Sequence, residues 1–306
     1  MNASLPADLP AFLPPLLEAQ YGVETAALVA DGMRARRLVT LRANTLKADS
    51  ARVAAALDAA GVAHEGVPWY ADAFVLPQAR ERDVWALPAY EAGELYLQSL
   101  SSMLPPLALA PRPGADVLDM CAAPGGKTTQ MAALSGGRAR ICACEMHAPR
   151  AERLEFNLRR QGATGVSVMR ADARRLDDFL AFDQILLDAP CSGSGTFRAG
   201  DPKALARLTP QLVAKSVKAQ RALLAKALRL LKPGGELVYS TCSVLAAENE
   251  EVVRAAMTHA RARVEPVELS GLDDVPRLPT SLPGALLVRP TERYEGFFVA
   301  KLRRMG

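Results

Sequence analysis

The residues best suited to chemistry lie in one stretch, Phe182 to Gly195, which reads FDQILLDAPCSGSG. It opens as an apolar run, unbroken from Ile185 to Leu187, the pattern of a strand buried on both faces. It then places a carboxyl at Asp188, turns at Pro190, places a thiol at Cys191 and dissolves into a Gly/Ser loop. An acid and a thiol at the carboxyl end of a buried strand sit where open α/β sheets bind ligands. Such a pair suits nucleophilic or acid–base chemistry. Equally, Asp188 would cap a helix and Cys191 would pack, and the stretch by itself leaves both readings open. A second thiol, Cys242, follows another apolar run, Glu236 to Ser240, in the same manner.

A further constellation surrounds Leu118 to Thr129, LDMCAAPGGKTT. A strand ending in an acid, a turn of small residues with paired glycines and a helix start form the first crossover of a nucleotide-type fold. Gly125 and Gly126 let a ligand approach the backbone, and the exposed amides favour a carboxylate or phosphate. The spacing is neither that of a phosphate-cradling P-loop nor that of a dinucleotide GxGxxG turn. Glu145 lies roughly 20 residues beyond the glycines, the position from which an acid holds a ribose hydroxyl pair. With Asp172 and Asp188, four consecutive strands end in acids, Asp119 included, and their carboxylates are expected along one rim. Helix capping does not account for four such acids in register, so a nucleoside-bearing cofactor is expected.

These groups need an α/β framework. From Ala110 onward strands and helices alternate, the signature of βαβ units and a mainly parallel sheet. Strands are expected at Ala115–Leu118, Ile141–Cys144, Val166–Met169, Phe182–Leu187 and Glu236–Ser240. Helices are expected at Pro149–Gln161, stopped by Gly162, and at Gln211–Leu231, stopped by KPGG. A hairpin of Leu286–Val288 with Phe297–Leu302 closes the chain. Ahead of this lies a small α+β unit: a strand at Leu38–Leu41, a helix capped by Asp49 or Ser50 and ending at Gly61, and a strand near Phe74–Leu76. Pro88, Gly93 and the segment LYLQSLSSMLPP separate it from the alternating region. The expected organisation is a helical segment over 1–33, a small α+β domain over 34–95, and an alternating α/β domain over 96–306.

Composition narrows the class. Half of the 306 residues are hydrophobic and 23% are charged, which fits a globular chain with ample core rather than a disordered one. No apolar run approaches the ~18–20 residues of a membrane-crossing helix. The N-terminus, MNASLPADLPAF, lacks the features of a signal peptide, so a cytoplasmic protein is expected. Five cysteines (Cys121, Cys142, Cys144, Cys191, Cys242) are an odd set and are expected as free thiols. Cys142 and Cys144 read as packing residues on one face of a strand. His64, His147 and His259 have no ligand spacing, and no metal is expected. The net charge of +4 permits a polyanionic partner without demanding one. Basic residues gather at Arg34, Arg36, Arg37 and Arg42, from Arg150 to Arg175, and at Arg198, Lys203 and Arg207; a solvated face is the plain reading of each cluster.

The motifs quoted above resemble those of the RNA 5-methylcytosine methyltransferases of the NOL1/NOP2/Sun family, the RsmB/RsmF-like enzymes. The matching residues are CAAPGGKT at Cys121–Thr128, DAPCSGSGTFR at Asp188–Arg198 and LKPGGELVYSTCS at Leu231–Ser243. ENEEVV at Glu248–Val253, GFFVAKL at Gly296–Leu302 and RANTLK at Arg42–Lys47 add to them. VRPTERYEGFF, Val288 to Phe298, departs from the His-bearing segment that members of the family often carry there. The resemblance implies a Rossmann-like S-adenosylmethionine-dependent methyltransferase fold, with a mainly parallel doubly wound sheet, an antiparallel C-terminal strand and a small α+β domain ahead of it. It implies S-adenosyl-L-methionine held by Cys121, Ala122, Ala123, Pro124, Gly125, Gly126 and Lys127, by Glu145 at the ribose, by Asp172 at the adenine edge, by Asp188, and by Arg150.

The resemblance also implies roles for the two thiols, which their local sequence does not rank. Cys242 is the nucleophile that adds to C6 of cytosine, Cys191 assists product release, and Asp188 contacts N3. The residue types agree with that chemistry. C5 of cytosine is a poor nucleophile until a thiolate at C6 makes the ring an enamine, and a carboxyl at N3 favours the addition if its pKa is raised in a closed site. An unpaired or flipped RNA nucleotide is the expected substrate, in ribosomal rather than transfer RNA, and a monomer is expected. The competing readings are a non-catalytic RNA-binding assembly factor on the same fold and an amino-group methyltransferase, which would need no thiol.

Overall fold

The computed structural model describes residues 8–259, 262–265 and 272–305, so the first seven residues of the expected N-terminal helical segment, and residues 260–261, 266–271 and 306 of the expected 96–306 domain, lie outside the described residues. The chain begins with α1 (Leu13–Tyr21) and α2 (Val23–Arg34), followed by β1 (Val39–Ala43), α3 (Ser50–Ala59), β2 (Glu65–Val67) and β3 (Tyr70–Leu76). Two short helices, α4 (Glu81–Trp85) and α5 (Pro88–Glu91), lead to β4 (Leu95–Leu97). The strands β1 to β4 form one antiparallel sheet in the order β2-β3-β1-β4. The expected cap of α3 is present: the Asp49 carboxylate accepts from the Arg52 amide at 2.8 Å.

The segment read from sequence as a separator is structured. Its first residues form β4, which pairs with β1 and extends the small sheet to Leu97. Its remainder opens α6 (Leu100–Leu109). The N-terminal helices likewise do not stand apart from the main sheet. Leu13, Leu17, Val29 and Met33 join the apolar layer beneath it, and the Gln20 side chain donates to the Val244 carbonyl at 3.0 Å.

Beyond α6 the alternation expected from sequence is observed. The elements are β5 (Asp116–Asp119), α7 (Gly126–Leu134), β6 (Arg140–Cys144), α8 (Ala148–Gln161), β7 (Val166–Met169) and β8 (Phe182–Asp188). They are followed by α9 (Pro202–Arg207), α10 (Pro210–Leu230), β9 (Leu231–Thr241), α11 (Glu250–His259), β10 (Ala262–Glu265), β11 (Leu286–Val288) and β12 (Phe297–Arg304). The main sheet runs β10-β12-β9-β8-β5-β6-β7, with β11 paired to β12. Strands β5 to β9 are parallel, and β12 enters antiparallel between β9 and β10. KPGG does not simply precede β9. Leu231 already pairs with Phe182, and the register shifts before Glu236 resumes pairing at Gln184.

The unbroken apolar run of β8 is explained by its place in the sheet. Ile185 and Leu187 face the layer formed with α1, α2 and α10, while Leu186 faces the layer formed with α6, α7 and α8. A strand covered on both faces has no polar side to show in its sequence. The chain leaves β5 toward β6 on one side and reaches β8 on the other. The carboxyl ends of β5 and β8 therefore flank the switch point where doubly wound sheets bind ligands. No helix among the described residues is long and apolar enough to cross a membrane.

Candidate functional site

Two cavities open at that switch point and meet. The first, about 390 Å³, is lined by Met120, Cys121, Ala123, Glu145, Asp172 and Leu223 among others. The second, about 440 Å³, lies between the main sheet and the small sheet, with walls from Thr40, Tyr96, Gln98, Lys127, Arg198 and Phe297. Asp188, Cys242, Cys121 and Ala123 line both. Volumes of this size suit small-molecule and nucleotide-sized ligands.

At the junction the two thiols flagged in the sequence stand together, with Cys191 Sγ 3.1 Å from Cys242 Sγ. The hydrogen bond to Cys242, reinforced by burial, raises the Cys191 thiol well above the ordinary cysteine range. Asp188 lies beside them, at the end of β8. Its Oδ1 accepts from the Ser240 hydroxyl at 2.7 Å and its Oδ2 from the Lys127 ammonium at 2.8 Å. Burial pulls the Lys127 ammonium down, but Asp188 more than offsets this and the net shift is upward. Lys127 also donates to the Ser102 hydroxyl at 2.7 Å and sits over the Phe297 ring. Asp188 is thus held as an acceptor facing both cavities.

The residues expected to hold a cofactor divide between the cavities. Cys121, Ala123, Glu145, Arg150, Asp172 and Asp188 line the first. Ala122, Pro124, Gly126 and Lys127 line the second, as Ala123 does from its other side. Gly125 lines neither; it caps α7 with φ +107°, and a Cβ there would stand 3.0 Å from Leu154 Cδ1. The Glu145 carboxylate, 4% exposed, accepts from the His147 amide at 2.8 Å and pairs with Arg150 at 3.1 Å. Arg150 also donates to the Ala123 carbonyl, so it braces the acid against the glycine turn. Asp172 caps a short 3₁₀ turn and is gripped by the Arg174 guanidinium, which lowers its pKa. The fourth acid of the expected rim, Asp119, lines the second cavity but is almost wholly covered. It is buried, it accepts from Thr128 at 2.7 Å, and burial pushes its pKa up to about 6.

Several residues that matter to this geometry lie in motifs whose roles the sequence does not show. Glu248 is fully buried and accepts from the Ser192 amide and hydroxyl and from the Ser243 hydroxyl. Asn249 donates to the Ser243 carbonyl at 3.0 Å and accepts from Thr241. ENEE stood out as a motif, but its partners lie on two loops that only the fold brings together. The Cys191 loop also crosses the segment just ahead of β12 so closely that glycine is required: a Cβ on Gly195 would fall 1.9 Å from the Gly296 carbonyl oxygen. Arg42, in RANTLK, is fully buried rather than solvated, and it bonds Gln98 at 2.9 Å and Thr129 at 2.8 Å.

The chain also resembles known proteins along most of its length. Residues 106–303 match the family model described as 16S rRNA methyltransferase RsmB/F. Residues 9–83 match the ferredoxin-like domain of RsmF/B-like methyltransferases, a span that begins ahead of α1. The ribosomal RNA small subunit methyltransferase F of Shewanella loihica is 37% identical over 275 residues, covering 87% of this chain and 56% of the relative. That of Shewanella woodyi is 39% identical over 278 residues, covering 87% and 57%. The chain therefore spans a little over half the length of these curated relatives. Among solved structures, a methyltransferase homologue protein from Pyrococcus horikoshii has a TM-score of 0.82 at 32% identity, covering 95% of this chain and 94% of that one. NSun6 from the same organism, crystallised with SFG, has a TM-score of 0.86 at 23% identity, covering 98% and 99%, a likeness of fold.

Proposed function

Because this chain belongs to the RsmB/F family of 16S rRNA methyltransferases, we propose that it is an S-adenosylmethionine-dependent RNA (cytosine-C5) methyltransferase acting on ribosomal RNA. The observation that carries this reading is the junction itself, where two thiols 3.1 Å apart stand beside a carboxylate shared by two cavities. Transfer to an amino group would need neither thiol. The relatives' names specify ribosomal RNA, and the basic residues at the mouth of the second cavity suit a polyanion.

The residues of the first cavity suit S-adenosylmethionine. Glu145 ends β6 next to the switch point, as a ribose-binding acid does, and Met120, Ala171, Ala173 and Leu223 offer apolar walls to an adenine. Cys121, Ala123 and Asp188, also in its lining, would hold the methionine end, Asp172 the adenine edge, and Arg150 would add a contact beside Glu145. The cofactor, when bound, supplies an electrophilic methyl group.

The second cavity takes the flipped cytosine. Cys242 attacks C6 through its thiolate, forming an S–C6 bond while C5 gains the electron density that makes it nucleophilic. Asp188, protonated from solvent as the base enters, donates that proton to N3 while the S–C6 bond forms, and takes it back when the bond breaks. Lys127, paired to Asp188, fixes that carboxylate at the junction. After methyl transfer, Cys191 assists loss of the C5 proton and departure of Cys242, which restores the aromatic ring.

Single substitutions test these roles. With labelled cofactor and ribosomal RNA, Cys242→Ala is expected to abolish both methylation and covalent capture of RNA. Cys191→Ala is expected to accumulate the covalent adduct. The opposite pattern would reverse the two assignments, and full activity of both variants would remove the thiol mechanism. Bisulfite sequencing of ribosomal RNA from a deletion strain then identifies the cytosine.

A further inference from the structure

A carboxylate buried without a cation is costly, and it persists where its hydrogen bonds are complete. Glu248 is such a group: it is fully buried, and its hydrogen-bond partners among the described residues are all neutral. The identity of those partners is specific. Oε1 accepts from the Ser192 amide at 2.7 Å, and Oε2 accepts from the hydroxyls of Ser192 and Ser243, both at 2.6 Å. Ser192 directly follows Cys191, and Ser243 directly follows Cys242. Gln220, from α10, donates to the Pro190 carbonyl at 3.0 Å and approaches Glu248 at 3.4 Å, so both loops are referred to one helix. Around this point Ser194 and Ser243 share a hydrogen bond of 2.9 Å, and the Gly195 amide donates to the Cys242 carbonyl at 3.0 Å.

We infer that Glu248 is the positioning residue of the thiol pair: one carboxylate holds the residue after each cysteine and so sets the separation of Cys191 and Cys242. The two loops come from parallel neighbours β8 and β9, and the strand ladder ends at Asp188 opposite Ser240. Beyond that point no β pairing fixes one loop against the other, and the serine–carboxylate bridge takes over. Glu248 bonds neither thiol among the described residues: it holds them through Ser192 and Ser243, and its charge adds to the raising of the Cys191 thiol, an effect that Ser243→Ala leaves in place. The geometric part stands on the hydrogen bonds alone. Its catalytic consequence rests on the reading of Cys242 as nucleophile and Cys191 as release residue.

The test has two arms. In the first, the free enzyme is treated with diamide, whose N=N bond accepts two electrons and two protons as two thiols become a disulfide. Cross-linking of Cys191 to Cys242 is followed by mass spectrometry. Wild type is expected to cross-link rapidly, Glu248→Gln roughly tenfold more slowly because the thiols lose their alignment, and Glu251→Gln, altered at an exposed neighbour, at the wild-type rate. Ser243→Ala deletes one leg of the bridge while keeping the carboxylate, and an intermediate rate is expected; it also serves where Glu248→Gln does not fold. A wild-type rate in both bridge variants, or no cross-link in wild type, overturns the inference. In the second arm, Glu248→Gln is expected to lower kcat roughly 100-fold with KM for the cofactor unchanged, because misalignment affects the reacting groups and not the first cavity. An enzyme that fails to methylate RNA, yet whose cross-linking depends on Glu248, would remove the functional reading and leave the positioning one intact.

Discussion

At the scale of single residues, the candidate site is governed by how each carboxyl is compensated. Asp188 is met by Lys127 and Ser240, Glu145 by Arg150 and a backbone amide, and Glu248 by hydroxyls and an amide. Asp119 is compensated least: one oxygen accepts from Thr128, and the other is buried without a partner. Its unfolded carboxyl titrates near 3.9, and burial raises the folded one to about 6. Between those values the folded state binds the extra proton, so this group's contribution to stability falls as pH rises through the window. Asp119→Asn keeps an acceptor for Thr128 and cannot ionise. Measured by urea unfolding, the variant is expected to gain about 2 kcal/mol on wild type between pH 4.5 and pH 7.5. Parallel pH profiles for the two proteins would show that the buried carboxyl does not titrate in that range. Such compensation was only partly legible in the sequence. The acids and thiols stood out because each follows an apolar run. Glu248 stood out only as part of the ENEEVV motif, and its role stayed hidden because it depends on two serines, one of which, Ser192, lies more than fifty residues away.

At the scale of elements, the central strands β5, β8 and β9 were legible because burial on both faces leaves uninterrupted apolar runs, whereas β10 at the edge of the sheet was not read. The helix α8 was legible from its apolar spacing and from Gly162, which adopts the left-handed conformation that ends it. The three-residue strands β2 and β4 were not, because three residues are too few to show a period; β11, equally short, was read as a wholly apolar run facing a longer strand. With β4 unrecognised, the junction between the small sheet and the main sheet read as a linker, whereas it is held by a buried charge. Arg42 donates to Gln98, to Thr129 and to the Gly126 carbonyl, and it lies over the Tyr96 ring. It therefore ties β1 and β4 to the first turn of α7, between the walls of the second cavity. Arg42→Met would leave these acceptors unpaired, and a loss of about 3 kcal/mol in unfolding free energy is expected. Arg42→Lys is not expected to restore it, because a single ammonium cannot serve three acceptors spread across a planar fork. Urea unfolding of both variants checks this, and a loss below about 1 kcal/mol would mean that Arg42 is not what joins the two sheets.

At the scale of the whole molecule, a net charge of +4 says little about where a polyanion would lie. Several of the basic side chains that clustered in the sequence are already paired: Arg34 with Asp8, Arg170 with Glu155, Arg174 with Asp172. Arg198 differs. It is exposed, lines the second cavity and forms no ion pair among the described residues. It follows the DAPCSGSG loop, so a phosphate beside a flipped nucleotide would meet it just outside the junction of thiols and carboxylate. Each phosphate neutralised on a single strand releases counterions and steepens the salt dependence of binding by about 0.7 in log K against log salt. Arg198→Gln is expected to lower RNA affinity, to reduce that slope by about 0.7, and to leave cofactor affinity unchanged. Arg82→Gln, on the short helix α4 and exposed, is the control that keeps the full slope. A slope unchanged in Arg198→Gln would place the RNA backbone on another face, and the approach to the second cavity would then have to run past Arg37 and Arg293 instead.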